Sequence, residues 1–151
     1  MKNTKDNPAA GVMLIADDDP GNVFLFNTML NRMFPEATII SAENGQRAVD
    51  LVVEHNFNIL LLLMDLNMPL MDGLEATRRI RALEAENPGR RGVLIIAVTA
   101  SIAVFSEDSC LDAGMDDFIE KPLTFNDLKG LIKKHRPELF VSSEIKETTR
   151  S

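Results

Sequence analysis

The stretch "NILLLLMDLNMP", residues 58–69, decides the fold. Six apolar residues, Ile59 to Met64, run without interruption into Asp65, and Asn67 and Pro69 follow. The period of so short a run cannot tell strand from helix. Its brevity and its polar flanks, Asn58 and Asp65, select a strand buried on both faces. Such a strand holds the carboxylate at its end in one place. Pro69 biases Met68 away from helix and keeps the following loop open.

Working outward, short apolar runs alternate with segments of helical period. "VMLIA" (12–16), "ATIISA" (37–42), "VLIIAV" (93–98) and "DFIE" (117–120) are further strands. Residues 20–34, with Val23, Phe26, Leu30 and Met33 in phase, form a helix that Pro20 opens and Asp19 caps. Residues 45–55, 73–86, 102–114 and 124–135 read as four more helices. Gly114 stands in the C-cap position, and Thr124 and Asp127 have capping-box spacing. "NPGRRG" (87–92) is a turn-rich loop. Five strands alternating with five helices specify an α/β domain with a parallel sheet covered on both faces.

The bulk numbers agree with one domain. The chain has 151 residues, 45% apolar and 26% charged. At this size about 68–70% of the unfolded surface is buried on folding. The formal net charge is −7, which opposes direct nucleic-acid binding. One cysteine, Cys110, excludes an internal disulfide and a cysteine-based zinc site. His55 and His135 lack ligand spacing, no stretch has the length of a membrane span, and the N-terminus has no apolar signal core. A cytoplasmic protein without membrane insertion is the expectation. Residues 1–10 read as a flexible tail, 11–136 as the folded domain, and 137–151 as a C-terminal tail or the start of a linker.

Ligands of open parallel sheets bind beyond the carboxyl ends of the strands. The residues there are Asp17, Asp18 and Asp19 after the first strand, Asp65 and Asn67 after the third, Thr99, Ala100 and Ser101 after the fourth, and Lys121–Pro122 after the fifth. With the first and third strands adjacent, about 4.8 Å apart, several carboxylates crowd one edge. Two unit charges about 5 Å apart at an effective dielectric near 20 repel by roughly 3 kcal/mol. A hard divalent cation with oxygen ligands, magnesium above all, offsets that, and Lys121 adds a second positive charge. Acids, a hydroxyl and a lysine around a metal suit the movement of a phosphoryl group, with a carboxylate able to serve as nucleophile.

The segments "LIADDDPGN", "LLMDLNMPLMDG", "AVTAS" and "AGMDDFIEKPL" together resemble the receiver domains of two-component response regulators, over residues 11–136. The resemblance implies a flavodoxin-like doubly wound sheet in the order 2-1-3-4-5. It implies that Asp65 accepts a phosphoryl group from a phosphohistidine on a histidine kinase or histidine phosphotransfer domain. It implies a Mg2+ site in which Asp18 binds directly, Asp17 mainly through water, and the Asn67 backbone carbonyl and Asp65 complete the set. Thr99, Ala100 and Lys121 become the phosphate-binding residues. Thr99 and Phe118 become a switch that alters the face of the fourth helix and fifth strand for a downstream effector whose identity is unknown. Asn67 and Ser101 flank the position where the family tunes loss of the phosphoryl group. The Lys121–Pro122 bond is expected to be cis. The protein is then not an enzyme beyond its own phosphorylation and dephosphorylation.

Two other readings stand beside this one. Asp17-Asp18-Asp19 offers the Asp-x-Asp of haloacid-dehalogenase-type phosphatases, but Pro20 and Gly21 replace the expected Thr or Val and no later acid pair follows Lys121. A receiver-like interaction module that is never phosphorylated would have no use for the complete set of site residues. The apolar stretch Ile102, Val104 and Phe105 is a candidate surface for phosphorylation-dependent self-association.

Overall fold

The computed structural model describes residues 7–100 and 106–140. Its elements alternate throughout: β1 (Val12–Ala16), α1 (Pro20–Met33), β2 (Thr38–Ala42), α2 (Gly45–Glu54), β3 (Ile59–Asp65), α3 (Gly73–Ala85), β4 (Ile95–Thr99), α4 (Glu107–Ala113), β5 (Asp117–Glu120) and α5 (Phe125–His135). The strands form one parallel sheet in the order β2-β1-β3-β4-β5. This is the doubly wound arrangement expected, and it puts β3 at the centre.

The lack of alternation in β3 now has its reason. Leu62 and Met64 pack with Val52, Ala76 and Ile80 of α2 and α3. Leu61 and Leu63 pack on the opposite face with Phe26 and Leu30 of α1 and Leu128 and Ile132 of α5. Leu61 to Met64 are 0–1% exposed. Fully burying such side chains contributes about 2 kcal/mol each, so the four together contribute about 8 kcal/mol as an upper bound. That exceeds the roughly 3 kcal/mol of one carboxylate repulsion at the strand's end. The core can therefore hold Asp65 in an unfavourable place.

The caps follow the sequence. The Asp19 carboxylate accepts from the Gly21 N–H at 2.9 Å, and the Thr124 hydroxyl accepts from the Asp127 N–H at 3.1 Å. Gly114 ends α4 in the left-handed region at φ 108°. Three further N-caps are Asn44 and Asp72, just before the expected helix starts at 45 and 73, and Ser106, which falls inside the expected helix 102–114.

The edges differ from the expectation in several places. Strand β4 begins at Ile95 rather than residue 93, because the Val93 N–H is taken by the Glu84 carboxylate at 2.7 Å. The described part of the fourth helix begins at Glu107, with Ser106 as its cap. Ser101 and the candidate self-association residues Ile102, Val104 and Phe105 lie outside the described residues. The packed unit also runs beyond the residue-136 boundary. Pro137–Phe140 forms a 3-10 turn whose Leu139 and Phe140 are 4% and 5% exposed, with the Phe140 ring 5.1 Å from that of Phe34. At the other end Ala9, inside the expected N-terminal tail, is buried in the same cluster. Short apolar pieces in polar surroundings gave no periodic signal, yet each fills a gap at the end of the sheet.

Candidate functional site

The carboxyl ends of β1, β3, β4 and β5 meet at one edge. Asp17 follows β1 and is 3% exposed; Asp65 ends β3 and is 7% exposed; Thr99 ends β4 and is 4% exposed. Asp18 faces solvent. One carboxylate oxygen from each of Asp17, Asp18 and Asp65 lies within 4.8 Å of the others. Lys121, just after β5, reaches back with its Nζ 3.3 Å from Asp17 Oδ2 and 3.8 Å from Asp65 Oδ1. Ala100 is exposed beside Thr99, and the Lys121 N–H donates to the Thr99 carbonyl at 2.7 Å. The Lys121–Pro122 bond is cis.

Close backbone approaches build the rim. The Gly45 N–H donates to the Met71 carbonyl, and the Gly73 N–H to the Leu66 carbonyl, each at 3.0 Å. A Cβ on Gly45 would collide with the Met71 carbonyl oxygen, and one on Gly73 with the Asp65 carbonyl oxygen. Glycine at these two positions lets α2 and α3 start against the loop that leaves β3. The loop itself carries Leu70 at φ 66°, 88% exposed. A leucine in that region costs about 1–2 kcal/mol. Nothing in the sequence marked Leu70 as special.

The electrostatics agree with the crowding. Asp65 has its pKa raised from 3.8 to about 6: burial is the largest cause, and the Asp17 charge adds to it. Lys121 and the Asn67 N–H, which donates to Asp65 Oδ1 at 3.3 Å, pull the other way without prevailing. Two buried acids and an exposed one thus face a single lysine. A hard cation fits this donor set: all donors are oxygens, their number is small, and one lysine offsets only part of their charge. Phe118 lies in β5, partly buried against the core on the α2–α4 side.

A family model described as the response regulator receiver domain matches residues 13–133. The chain belongs to that family. It is a receiver domain of two-component signalling. Among curated relatives it is 38% identical over 122 residues to the sensor protein GacS of Pseudomonas syringae pv. syringae. That alignment covers 81% of this chain and 13% of the relative, so the receiver domain corresponds to a small part of such a protein. Among solved structures it matches the receiver domain of sensor histidine kinase PA1611 from Pseudomonas aeruginosa, with a TM-score of 0.69 and 30% identity over 82% of this chain and 94% of that one. That structure has a magnesium ion coordinated in its active-site cleft. The receiver domain of Saccharomyces cerevisiae Ssk1, solved with the histidine phosphotransfer protein Ypd1, matches with a TM-score of 0.72 and 29% identity, covering 82% and 86% of the two chains. No helix among the described residues is long and apolar enough to cross a membrane.

Proposed function

We propose that Asp65 of this receiver domain accepts a phosphoryl group from a phosphohistidine on a histidine kinase or a histidine phosphotransfer domain. The observation that carries this reading is the convergence of Asp17, Asp18, Asp65 and Lys121 at one strand edge. An Asp65 carboxylate oxygen attacks phosphorus as the N–P bond of the donor imidazole breaks. An aspartyl phosphate forms and the donor imidazole, protonated beforehand on its other ring nitrogen, leaves as neutral imidazole, with no water consumed.

The roles follow from position. Asp17, Asp18, Asp65 and the Asn67 backbone carbonyl would hold Mg2+, which when bound neutralises charge on the acids and on the phosphoryl oxygens. Lys121, already between Asp17 and Asp65, takes one phosphoryl oxygen. The Thr99 hydroxyl takes another, and the small Ala100 side chain leaves room for the group. Phe118 and Thr99 transmit the change to the face formed by α4 and β5, which a downstream effector senses. Phe118 carries no hydroxyl, so this switch works through packing. The exposed Phe24, which lines a cavity together with Asp17 and Asp18, supports the approach of a protein donor from the α1 side.

Incubation with a small acyl phosphate, with and without magnesium, tests the reading by intact mass. One phosphoryl group per chain is expected with magnesium, and none in Asp65→Asn. Sustained turnover of an aryl phosphate would favour a phosphatase instead. An undiminished gain in Asp65→Asn would remove Asp65 as the acceptor.

A further inference from the structure

A second cavity lies at the opposite edge of the sheet, where the amino-terminal ends of β1, β3 and β4 meet. Its volume is about 420 Å³, within the range of small-molecule sites. Gly11, Asn58 and Gly92 line it, together with the apolar side chains of Phe57, Leu60 and Leu139. Three arginines line it, Arg90, Arg91 and Arg136, against one acid, Glu138. The lining therefore carries two more positive charges than negative ones, in a chain whose net charge is −7.

The arginines are anchored but not used up. Arg90 Nη1 donates to the Asn56 carbonyl at 2.5 Å, and its guanidinium lies 5.9 Å from the centre of the Phe57 ring. Arg136 Nη2 donates to the Gly92 carbonyl at 2.8 Å. Arg91 Nη1 holds the Glu138 carboxylate at 2.7 Å. Each guanidinium has five N–H donors, and each uses one of its side-chain donors in these bonds between described residues. The Glu138 carboxylate shows that the Arg91 fork accepts an oxyanion here. Burial, followed by the charge of Arg91, holds the Arg136 guanidinium below its usual basicity. An anion between Arg91 and Arg136 would relieve that repulsion.

We propose that this cavity binds a small organic phosphate, its phosphate groups on Arg91 and Arg136 and its flat or apolar body against Phe57 and the Arg90 plane. Guanidinium forks match phosphate oxygens in pairs, and an Arg–Phe pair offers a stacking surface. The site is remote in the fold from the acids around Asp65. Its occupancy needs neither magnesium nor phosphorylation.

Titration calorimetry on the full chain, in magnesium-free low-salt buffer, tests this with ADP, pyrophosphate and adenosine as separate probes. Saturable binding of ADP and pyrophosphate is expected, with ADP tighter by roughly tenfold through its stacked base and adenosine alone too weak to detect. Arg91→Glu, on an exposed side chain, should weaken ADP by roughly tenfold or more, and Arg136→Ala should weaken it as well. Asp65→Asn should leave binding unchanged, and Arg91→Glu should leave Asp65 phosphorylation unchanged. No saturable binding would overturn the proposal. So would affinity unaltered in Arg91→Glu, ADP no tighter than pyrophosphate, or binding lost in Asp65→Asn.

Discussion

The two edges of one sheet treat their acids in opposite ways. At the carboxyl edge Asp17 and Asp65 share Lys121 with Asp18 beside them, and the pKa of Asp65 is raised to about 6. At the amino edge the acids also have backbone N–H donors and more than one cation among them. Asp116 accepts from the Ile95 N–H at 2.9 Å and pairs with Arg81 at 2.9 Å; Glu84 pairs with Arg81 at 2.7 Å and accepts from the Val93 N–H. Asp117 meets His135 at 2.8 Å and Lys134 at 3.3 Å. Burial pushes the Asp117 carboxyl up, but bonds from His135, the Phe118 N–H and Lys134 bring it below the ordinary value. At the amino edge the acids are paired by the chain's own cations, which contributes to stability and leaves the cavity arginines in excess. The carboxyl edge is left short of positive charge, which is what a metal and a phosphoryl group require.

Arg81→Ala should break that contrast most strongly. It strips the partly buried Glu84 and the exposed Asp116 of their cation and leaves the Gly114 carbonyl, now 2.8 Å from Arg81 Nε, without its donor. A loss of about 2 kcal/mol is expected in urea unfolding, from the unpaired carbonyl and the two weakened ion pairs, with aspartyl phosphorylation in native conditions preserved.

The opposite sign is expected of Asp65→Asn in magnesium-free buffer. The folded state holds the Asp65 proton more tightly than the unfolded chain does. The associated stability is complete below the unfolded value of 3.8 and is lost as pH rises through about 6. The amide should therefore stabilise the fold at pH 7 by on the order of 2 kcal/mol, a gain that fades toward pH 4. Thermal melts across that range check it, and a destabilised variant at pH 7 would refute the account of the carboxyl edge.

Asp117→Asn should cost about 1 kcal/mol at pH 7. Here the folded value is depressed, so the stabilisation is present above the ordinary carboxylate range and is lost as pH falls through the lowered folded value. The variant and the parent should converge in acid, the mirror image of Asp65→Asn. The smallest effect is expected at the loop. Leu70→Gly relieves a positive φ on an exposed side chain and should stabilise by about 0.5 kcal/mol after the entropic cost of glycine. The same chemical denaturation series measures it.

The acids of the carboxyl edge were legible because strand ends locate them: an apolar run stopping at Asp65, and others stopping before Asp17 and at Thr99, place those side chains once the strands are parallel. Caps at Asp19 and Thr124 and the stop at Gly114 were legible from local chemistry. The amino edge was not. Arg81, Glu84, Asp116 and His135 sit among ordinary surface charges in the sequence, and "KKHR" (133–136) is a run of charge at a helix end. In the fold Lys134 and His135 reach Asp117, and Arg136 reaches the Gly92 carbonyl. These pairings join residues 17 to 44 positions apart, and no local pattern encodes them.

Sequence alone determined the order of strands and helices, the double-sided burial of β3 and the set of residues at the carboxyl edge, because periodicity and strand ends are local properties of the chain. Tertiary structure alone decided which of the charges are neutralised. It set Asp17 and Asp65 beside one lysine, paired the acids of the opposite edge with Arg81, Lys134, His135 and backbone N–H groups, and gathered three arginines around a cavity. Charge interactions depend on separation and burial in space, and neither is written in the spacing of residues along the chain.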